Sequence, residues 1–154
     1  MNYWLMKTEP DTFSIWDLDK SKNKTTPWEG VRNYQARNFM RDEMQKGDMV
    51  FFYHSSCKEP GIVGLCTVSK TSYPDFTAFD KKSKYYDIKS TEDNPRWFMV
   101  DVKLSKIFNS IVSLKSLKDN PKLADFKLLQ RGNRLSIIPV LKSEWQIINK
   151  MTDI

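Results

Sequence analysis

Apolar residues recur with the two-residue period of β-strands in several short stretches of the chain. In the longest stretch, residues 96–108, the even positions from Phe98 to Leu104 are apolar and form one face. The odd positions from Trp97 to Lys103 form a second, more polar face. Strands are predicted at residues 3–8, 48–54, 61–70, 96–108 and 135–140.

Helical signals separate these strands. Ser14, followed three residues later by Asp17, forms a capping-box pattern that favours a short helix over residues 14–18. The clearest helical period covers residues 34–46, and Gly47 is a suitable C-terminal stop. The other predicted helical segments are one starting at Ser113, a turn within residues 123–129 and an amphipathic helix with Leu141, Trp145 and Ile148.

Strands of this length between short helices indicate an α+β fold, a small curled sheet or barrel with helices around it. The uneven connections, including a long polar loop at residues 74–95, argue against regular βαβ units. No repeat or linker divides the 154 residues, so we expect a single domain over residues 1–154.

The formal net charge of +6 is concentrated in the second half of the chain. Residues 1–77 are balanced, with ten basic and ten acidic side chains, whereas residues 78–154 hold fifteen against nine. A basic stretch suits a phosphate backbone, because each neutralised phosphate releases counterions. A solvated lysine-rich surface is an equally open interpretation. The bases of the segment 103–134 are Lys103, Lys106, Lys115, Lys118, Lys122, Lys127, Arg131 and Arg134.

The cellular setting follows from signals that the sequence lacks. No apolar run of about 18 residues is present, so no membrane partner is expected. The start of the chain does not match a signal peptide, and Cys57 and Cys66 are interpreted as free thiols in a reducing compartment. We expect a cytoplasmic protein, or a nuclear one in a eukaryotic cell.

The catalytic and metal-binding interpretations have weak support. His54 is the only histidine, and its neighbour Ser55 on an extended strand points to the opposite face. One histidine and two separated cysteines do not make a zinc site, and no phosphate-binding glycine motif is present. We therefore expect no catalytic residue, no metal and no cofactor.

Exposed aromatic rings favour a binding function. Trp28 lies in a loop between Pro27 and Gly30, and Trp97 falls on the polar face of its predicted strand. Two such rings could sandwich a nucleic-acid base. The alternative for each ring is a place at the edge of the core, with the indole N–H bonded to backbone.

Polar residues beside the predicted helix at 34–46 suit an anion or a base edge. Asn33 can cap the helix, while Arg32 and Arg37 flank its first turns. Arg131 and Arg134 bracket a Gly–Asn turn and could clamp a phosphate. Simple capping and surface salt bridges are the competing interpretations.

Long blocks of the sequence resemble the EVE domain family, which includes the thymocyte nuclear protein group and short bacterial proteins. The blocks are YWLMKTEPDTFSIWDL, WEGVRNYQARNFMRDEMQKGDMVFFYHSSCKEPGIVG, YPDFTAFD, NPRWFMVDV and RGNRLSIIPV, in order over nearly the whole chain. Thr8 and Glu29 stand where serine and aspartate are commoner in the family. These two departures affect only the fine shape of the implied pocket.

The resemblance implies a PUA-like fold, a small curved β-barrel flanked by short α-helices and related to ASCH and YTH domains. It further implies a pocket that accepts a modified base, notably modified cytosine in DNA. The predicted base-pocket residues are Lys7, Thr8, Trp28, Asn33, Tyr34, Gln35, His54, Ser55 and Trp97, and the predicted phosphate-binding residues are Arg32, Arg37, Arg131 and Arg134.

We therefore expect a non-catalytic nucleic-acid-binding module that holds a modified or flipped-out base. The alternatives are a PUA-like reader of tRNA or another structured RNA, an enzyme that uses His54, Cys57 or a carboxylate on a modified nucleotide, and a module for an acidic protein. The sequence leaves open the base and its modification, the choice among DNA, RNA and free nucleotide, the oligomeric state and the biological pathway.

Overall fold

The computed structural model, which describes residues 1–152, contains one mixed six-stranded sheet. Its strands are β1 (Tyr3–Thr8), β2 (Thr25–Pro27), β3 (Met49–His54), β4 (Gly61–Pro74), β5 (Phe98–Ser113) and β6 (Ile137–Val140). Their order is β2-β5-β4-β3-β1-β6, with β1 parallel to β3 and the other neighbouring pairs antiparallel. The last two residues of the predicted 1–154 domain lie outside the described part.

The α+β class is confirmed, but the sheet does not close into the expected barrel. Within residues 1–152, the edge strands β2 and β6 do not pair with each other. Both edge strands are short, and each contains a proline, Pro27 in β2 and Pro139 in β6. Proline has no N–H to donate, so these edges are poor templates for a closing ladder.

Four α-helices and several single helical turns surround the sheet. The predicted capping box is confirmed, because Ser14 Oγ accepts the Asp17 N–H at 3.1 Å and the Asp17 carboxylate accepts the Ser14 N–H at 2.8 Å. Among residues 1–152, no helix is long and apolar enough to cross a membrane. The helices are α1 (Ile15–Lys20), α2 (Tyr34–Asn38), α3 (Leu114–Asp119) and α4 (Lys142–Met151).

The helix predicted at residues 34–46 is shorter than expected. After α2 the chain continues in a wider π-type turn, Phe39–Glu43, and Met44 N–H donates to the Phe39 carbonyl at 2.9 Å. The buried Asp48 carboxylate then accepts the Gln45 N–H at 2.9 Å, so a tight turn replaces the last predicted helical turn. Gly47 lies in that turn and does not end the helix.

Both faces of the sheet are buried, in agreement with the nearly continuous apolar runs of β1 and β3. Met6 and Phe52 belong to the cluster on the face that α1 and α2 cover. Leu5 and Phe51 belong to the cluster on the opposite face, which α4 covers with Trp145. A fully buried aliphatic or aromatic side chain contributes about 1.5–3 kcal/mol, so these clusters supply the main stabilisation of the fold.

The predicted polar face of β5 is wrong at its start. Trp97, just before the strand, is only 6% exposed and Met99 is fully buried. The segment 75–95 covers them, because the Asp75 N–H donates to the Trp97 carbonyl at 2.9 Å and the Trp97 indole N–H donates to the Asp87 carboxylate at 2.7 Å. The long polar loop is therefore packed onto the sheet.

Candidate ligand pocket

A cleft of about 420 Å³ opens beside the carboxyl end of β1. Segments that are far apart in the sequence contribute to it, so tertiary packing alone assembles the site. Its lining residues are Lys7, Thr8, Glu9, Thr12, Phe13, Thr26, Pro27, Trp28, Glu29, Gly30, Val31, Arg32, Lys84, Tyr85 and Ser136.

Aromatic side chains form part of the wall of this cleft. Trp28 is only 7% exposed, and its ring meets the Phe52 ring edge-on at a centroid distance of 5.6 Å. The Trp28 backbone N–H donates to the Val100 carbonyl at 2.8 Å, which fixes the backbone beneath the ring. Phe13 and the half-buried Tyr85 line the same cleft from other segments. The cleft can therefore offer flat apolar surfaces to a planar ligand.

The Asp75 carboxylate, which is fully buried, joins the two long segments of the wall. It accepts hydrogen bonds from the Gly30 N–H at 2.8 Å and from the Arg32 guanidinium at 3.0 Å. Arg32 in turn donates to the Tyr85 carbonyl at 2.7 and 3.2 Å. This chain of contacts fixes Tyr85 beside the loop that carries Trp28.

Gly30 allows the Tyr85 ring to approach the backbone of that loop. Its φ of +83° lies in the left-handed region that favours glycine. A Cβ at this position would lie 2.5 Å from the Tyr85 ring, closer than side chains pack. The position of the Tyr85 ring therefore requires glycine at position 30.

Four charged side chains in the cleft have no hydrogen-bond or ion-pair partner within residues 1–152. They are Lys7, Glu9, Glu29 and Lys84. Burial lowers the pKa of the Lys7 ammonium. Burial, and then the nearby Asp75 carboxylate, raise the pKa of Glu29, whereas Arg32 and Lys84 act in the opposite direction. Both groups are therefore available to a ligand at a site partly withdrawn from water.

The cleft includes only part of the predicted base pocket. Lys7, Thr8 and Trp28 line it, together with Arg32, which was predicted to bind phosphate. The Arg32 guanidinium is already bonded to Asp75 and to the Tyr85 carbonyl, so it supports the wall. The predicted residues outside the lining are Asn33, Tyr34, Gln35, His54, Ser55 and Trp97.

Three of these outer residues have structural contacts of their own. Asn33 caps α2, with its side-chain oxygen accepting the Ala36 N–H at 3.0 Å. Trp97 is stacked by Tyr34 at a centroid distance of 4.7 Å. The placement of Trp97 matches the alternative of an edge-of-core ring, but its indole N–H is bonded to the Asp87 carboxylate and not to backbone.

His54 is buried, at 3% exposure, and its Nε2 accepts the Ile15 N–H at 3.1 Å. Burial lowers the pKa of His54, which favours the neutral ring that this hydrogen bond requires. Ser55 N–H donates to the Thr8 carbonyl at 2.9 Å, so the end of β3 supports the end of β1. Within residues 1–152, no group of three His, Cys, Asp or Glu side chains is placed to hold a metal ion.

The predicted phosphate-binding arginines occupy different surroundings. Arg37 donates to the Arg96 carbonyl at 2.8 Å and lies over the Tyr34 ring at 4.6 Å. Arg131 and Arg134 are exposed, and within residues 1–152 neither forms an ion pair. Ser136, two residues beyond Arg134, lines the cleft, so this basic turn leads directly to the pocket.

Sequence reasoning did not single out Asp75, Phe13 or Ser136. Asp75 precedes a Phe–Thr pair, and its other carboxylate oxygen accepts the Thr77 N–H at 2.9 Å. This local turn is typical of aspartate and was the one signal that the sequence offered. Nothing in the spacing indicated that the same carboxylate would be buried against Gly30 and Arg32.

Comparisons with known proteins place the chain among relatives of known structure. A family model described as EVE domain matches residues 2–151. Thymocyte nuclear protein 1 of Gallus gallus is 44% identical over 95% of this chain and 66% of its own length. The chain thus spans about two thirds of that curated relative.

Two solved structures are similar over nearly their full length. A protein from Pseudomonas syringae is 48% identical, with 97% of this chain and 98% of that chain covered and a TM-score of 0.91. Human THYN1, solved in complex with DNA containing 5-methylcytosine, is 42% identical, with 98% and 97% covered and a TM-score of 0.92. An ASCH protein from Zymomonas mobilis, only 9% identical at a TM-score of 0.56, shares the fold alone. The expected relation to ASCH domains is thereby confirmed at the level of the fold.

Proposed function

Since the chain belongs to the EVE domain family, we propose that it is a non-catalytic module that binds nucleic acid and holds one modified or flipped-out base in the cleft. Modified cytosine in DNA is the favoured ligand. We assign this function to the whole chain, residues 1–154, as one domain.

The main support for this proposal is the structure of the human relative bound to DNA. THYN1 was solved with DNA containing 5-methylcytosine and aligns with almost all of this chain at a TM-score of 0.92. The cleft of about 420 Å³ falls within the range of roughly 300–1,000 Å³ typical of small-molecule sites, and a single base is a ligand of that class.

The energetics of base extrusion support an aromatic and polar pocket. Taking a base out of a duplex costs a few kcal/mol, and one aromatic contact recovers about 1–3 kcal/mol. Trp28 and Tyr85 provide such contacts in the proposed complex, and Lys7 bonds the base edge. Thr8, whose hydroxyl donates to the Phe13 carbonyl, shapes the pocket beside it. A buried methyl group adds only about 0.8 kcal/mol, so strong selectivity for a modified base also requires polar contacts.

Phosphate binding is assigned to the exposed basic residues that lead to the cleft. In the proposed complex, Arg131 and Arg134 contact the backbone on the side of Ser136. Arg37 contributes less to phosphate binding in this proposal, because its guanidinium already donates to the Arg96 carbonyl.

The proposed module has no catalytic residue. The only histidine accepts a backbone hydrogen bond through Nε2 and is buried, so it is a poor general base. We propose that the protein is located where nucleic acid is accessible, in the cytoplasm or, in a eukaryotic cell, in the nucleus. The names of the curated relatives support the nuclear location.

The test is direct binding to short oligonucleotides in which one base is cytosine, 5-methylcytosine or 5-hydroxymethylcytosine. Matched DNA and RNA, single- and double-stranded, are measured at two salt concentrations. Replacement of Trp28 is unsuitable, because this ring packs against Phe52 in the core and its loss would destabilise the protein by about 3–5 kcal/mol. Tyr85→Ala removes a wall residue, and Tyr86→Ala is the matched control, since Tyr86 does not line the cleft.

We expect the protein to prefer a modified cytosine in DNA. Tyr85→Ala should weaken binding by about 5- to 150-fold, the equivalent of one stacking contact, and Tyr86→Ala should leave it near wild type. Salt-sensitive binding that ignores both the modification and Tyr85 would contradict the pocket. Preference for RNA throughout would favour the RNA-reader alternative.

A further inference from the structure

We infer that the Glu29 carboxylate selects bases with an exocyclic amino group, such as cytosine and 5-methylcytosine, against their keto counterparts uracil and thymine. This inference rests on the proposed function, because it requires that the cleft hold a base. It assigns to one residue the chemical distinction that a methyl pocket cannot make, since thymine and 5-methylcytosine carry the same methyl group.

Several polar groups of the cleft are already bonded within the protein. The Gly30 N–H donates to Asp75, and the Thr8 hydroxyl donates to the Phe13 carbonyl at 3.0 Å. The Arg32 guanidinium is bonded to Asp75 and Tyr85. These groups hold the walls in place and have little capacity left to discriminate among bases.

Only two carboxylates among residues 1–152 line the cleft, Glu9 and Glu29. Within the same residues, neither forms a hydrogen bond or an ion pair through its side chain. Glu29 stands between Trp28 and Gly30, in the loop that forms the aromatic wall, whereas Glu9 lies in the turn after β1. Glu92, an exposed glutamate that does not line the cleft, is the matched control.

An ionised carboxylate only accepts hydrogen bonds, so its partner must donate. The amino group of cytosine donates, and acceptance by glutamate or aspartate is a known mode of cytosine readout. The keto oxygen of thymine in the same place would set lone pairs against the carboxylate, which is repulsive. The Glu29 side chain is exposed in the free protein, so the bound base itself would complete its withdrawal from water.

Lys7 supplies the complementary donor. Its ammonium lines the same cleft, is half-buried and has no acidic partner within residues 1–152. Cytosine carries acceptors, the ring nitrogen and the 2-keto oxygen, beside its amino donor. The free carboxylate of Glu29 and the free ammonium of Lys7 therefore match the donor and the acceptors on the edge of cytosine. Lys7 alone would not reject thymine, which also has keto acceptors, so the selection falls to Glu29.

The test uses single-stranded DNA with one central variable base, so that no base pair must be broken. Two comparisons, 5-methylcytosine against thymine and cytosine against uracil, each change the amino group for a keto group and keep the 5-substituent. An abasic oligonucleotide gives the affinity without a base. Wild type, Glu29→Gln and Glu92→Gln are measured side by side, with thermal unfolding as a check of folding.

We expect wild type to bind the amino base about 10- to 100-fold more tightly in both comparisons, the range of one charge-assisted hydrogen bond. Glu29→Gln should reduce both ratios at least several-fold, because an amide can turn its donor to a keto oxygen, and Glu92→Gln should retain them. Unchanged ratios in the folded Glu29→Gln variant, or equal affinities of wild type for amino and keto bases, would overturn the inference. If the bases still bind more tightly than the abasic strand in those cases, the base-holding function stands, whereas equal binding of all strands would overturn both.

Discussion

Replacement of Gly30 by alanine tests whether the Tyr85 wall makes the cleft. The added Cβ would lie 2.5 Å from the Tyr85 ring, and ordinary carbon contacts begin near 3.5 Å, so the ring must retreat by about 1 Å. The Tyr85 carbonyl is held by Arg32, which limits a shift of the whole residue. We therefore expect Gly30→Ala to push the ring out of position and to distort the cleft.

The loss of stability expected for Gly30→Ala has two parts. A residue with a Cβ at φ of +83° costs about 1–2 kcal/mol, and overpacking against the ring adds about 1–3 kcal/mol. Gly47 provides a matched control, because its φ is +93° and a Cβ added there would have no atom within 4 Å among residues 1–152. Gly47→Ala should therefore show the backbone cost alone, without an effect on ligand binding.

Urea denaturation followed by tryptophan fluorescence gives the free energy of unfolding of both variants, and oligonucleotide titration gives the affinity. Gly30→Ala should lose more stability than Gly47→Ala and should bind the preferred base about 10-fold less tightly or worse. The double variant Gly30→Ala, Tyr85→Ala should recover the overpacking part of the lost stability. If the two glycine variants are alike in stability and affinity, Tyr85 does not form the wall as described.

Three further predictions concern the support of the site and its charge. Asp75→Ala leaves the mostly buried Arg32 guanidinium without its ion-pair partner and should destabilise the protein by about 3 kcal/mol, measured by urea denaturation. The folded-state pKa of His54 lies below its unfolded value of about 6.5, so the unfolded chain binds more protons at this residue. The free energy of unfolding should therefore decrease as the pH falls from 7 through the unfolded and then the folded pKa of His54, and it should decrease less in folded His54→Gln. The double variant Arg131→Gln, Arg134→Gln should lower the slope of log affinity against log salt by about 2 without changing base preference, and an unchanged slope would remove these arginines from the interface.

Local signals in the sequence predicted much of the fold. The short apolar stretches placed β1 and β3 correctly, and the Ser14–Asp17 pattern placed the start of α1. These features depend on neighbours a few residues apart, which a sequence displays directly. The end of α2 could not be predicted in this way, because it depends on Asp48, whose carboxylate also accepts the Trp4 indole N–H at 3.0 Å across the fold.

The candidate site was predictable only in part, for the same reason. Trp28 and Lys7 were identified, and both line the cleft. Trp97 was predicted as a second exposed ring because alternation along β5 left it on the polar side. The periodicity of one strand does not show what packs on its other face, and here Asp87 in the segment 75–95 binds the indole.

The arrangement of charge in the site separates affinity from selectivity. Asp75 lies outside the cleft, and its carboxylate is satisfied by Gly30, Arg32 and Thr77, so it shapes the wall and does not contact a ligand. Its loss should weaken the binding of every base by a similar factor. Glu29 lies inside the cleft without a partner among residues 1–152, so its effect should differ between amino and keto bases. A ratio of affinities therefore distinguishes the residue that reads the base from the residue that holds the pocket together.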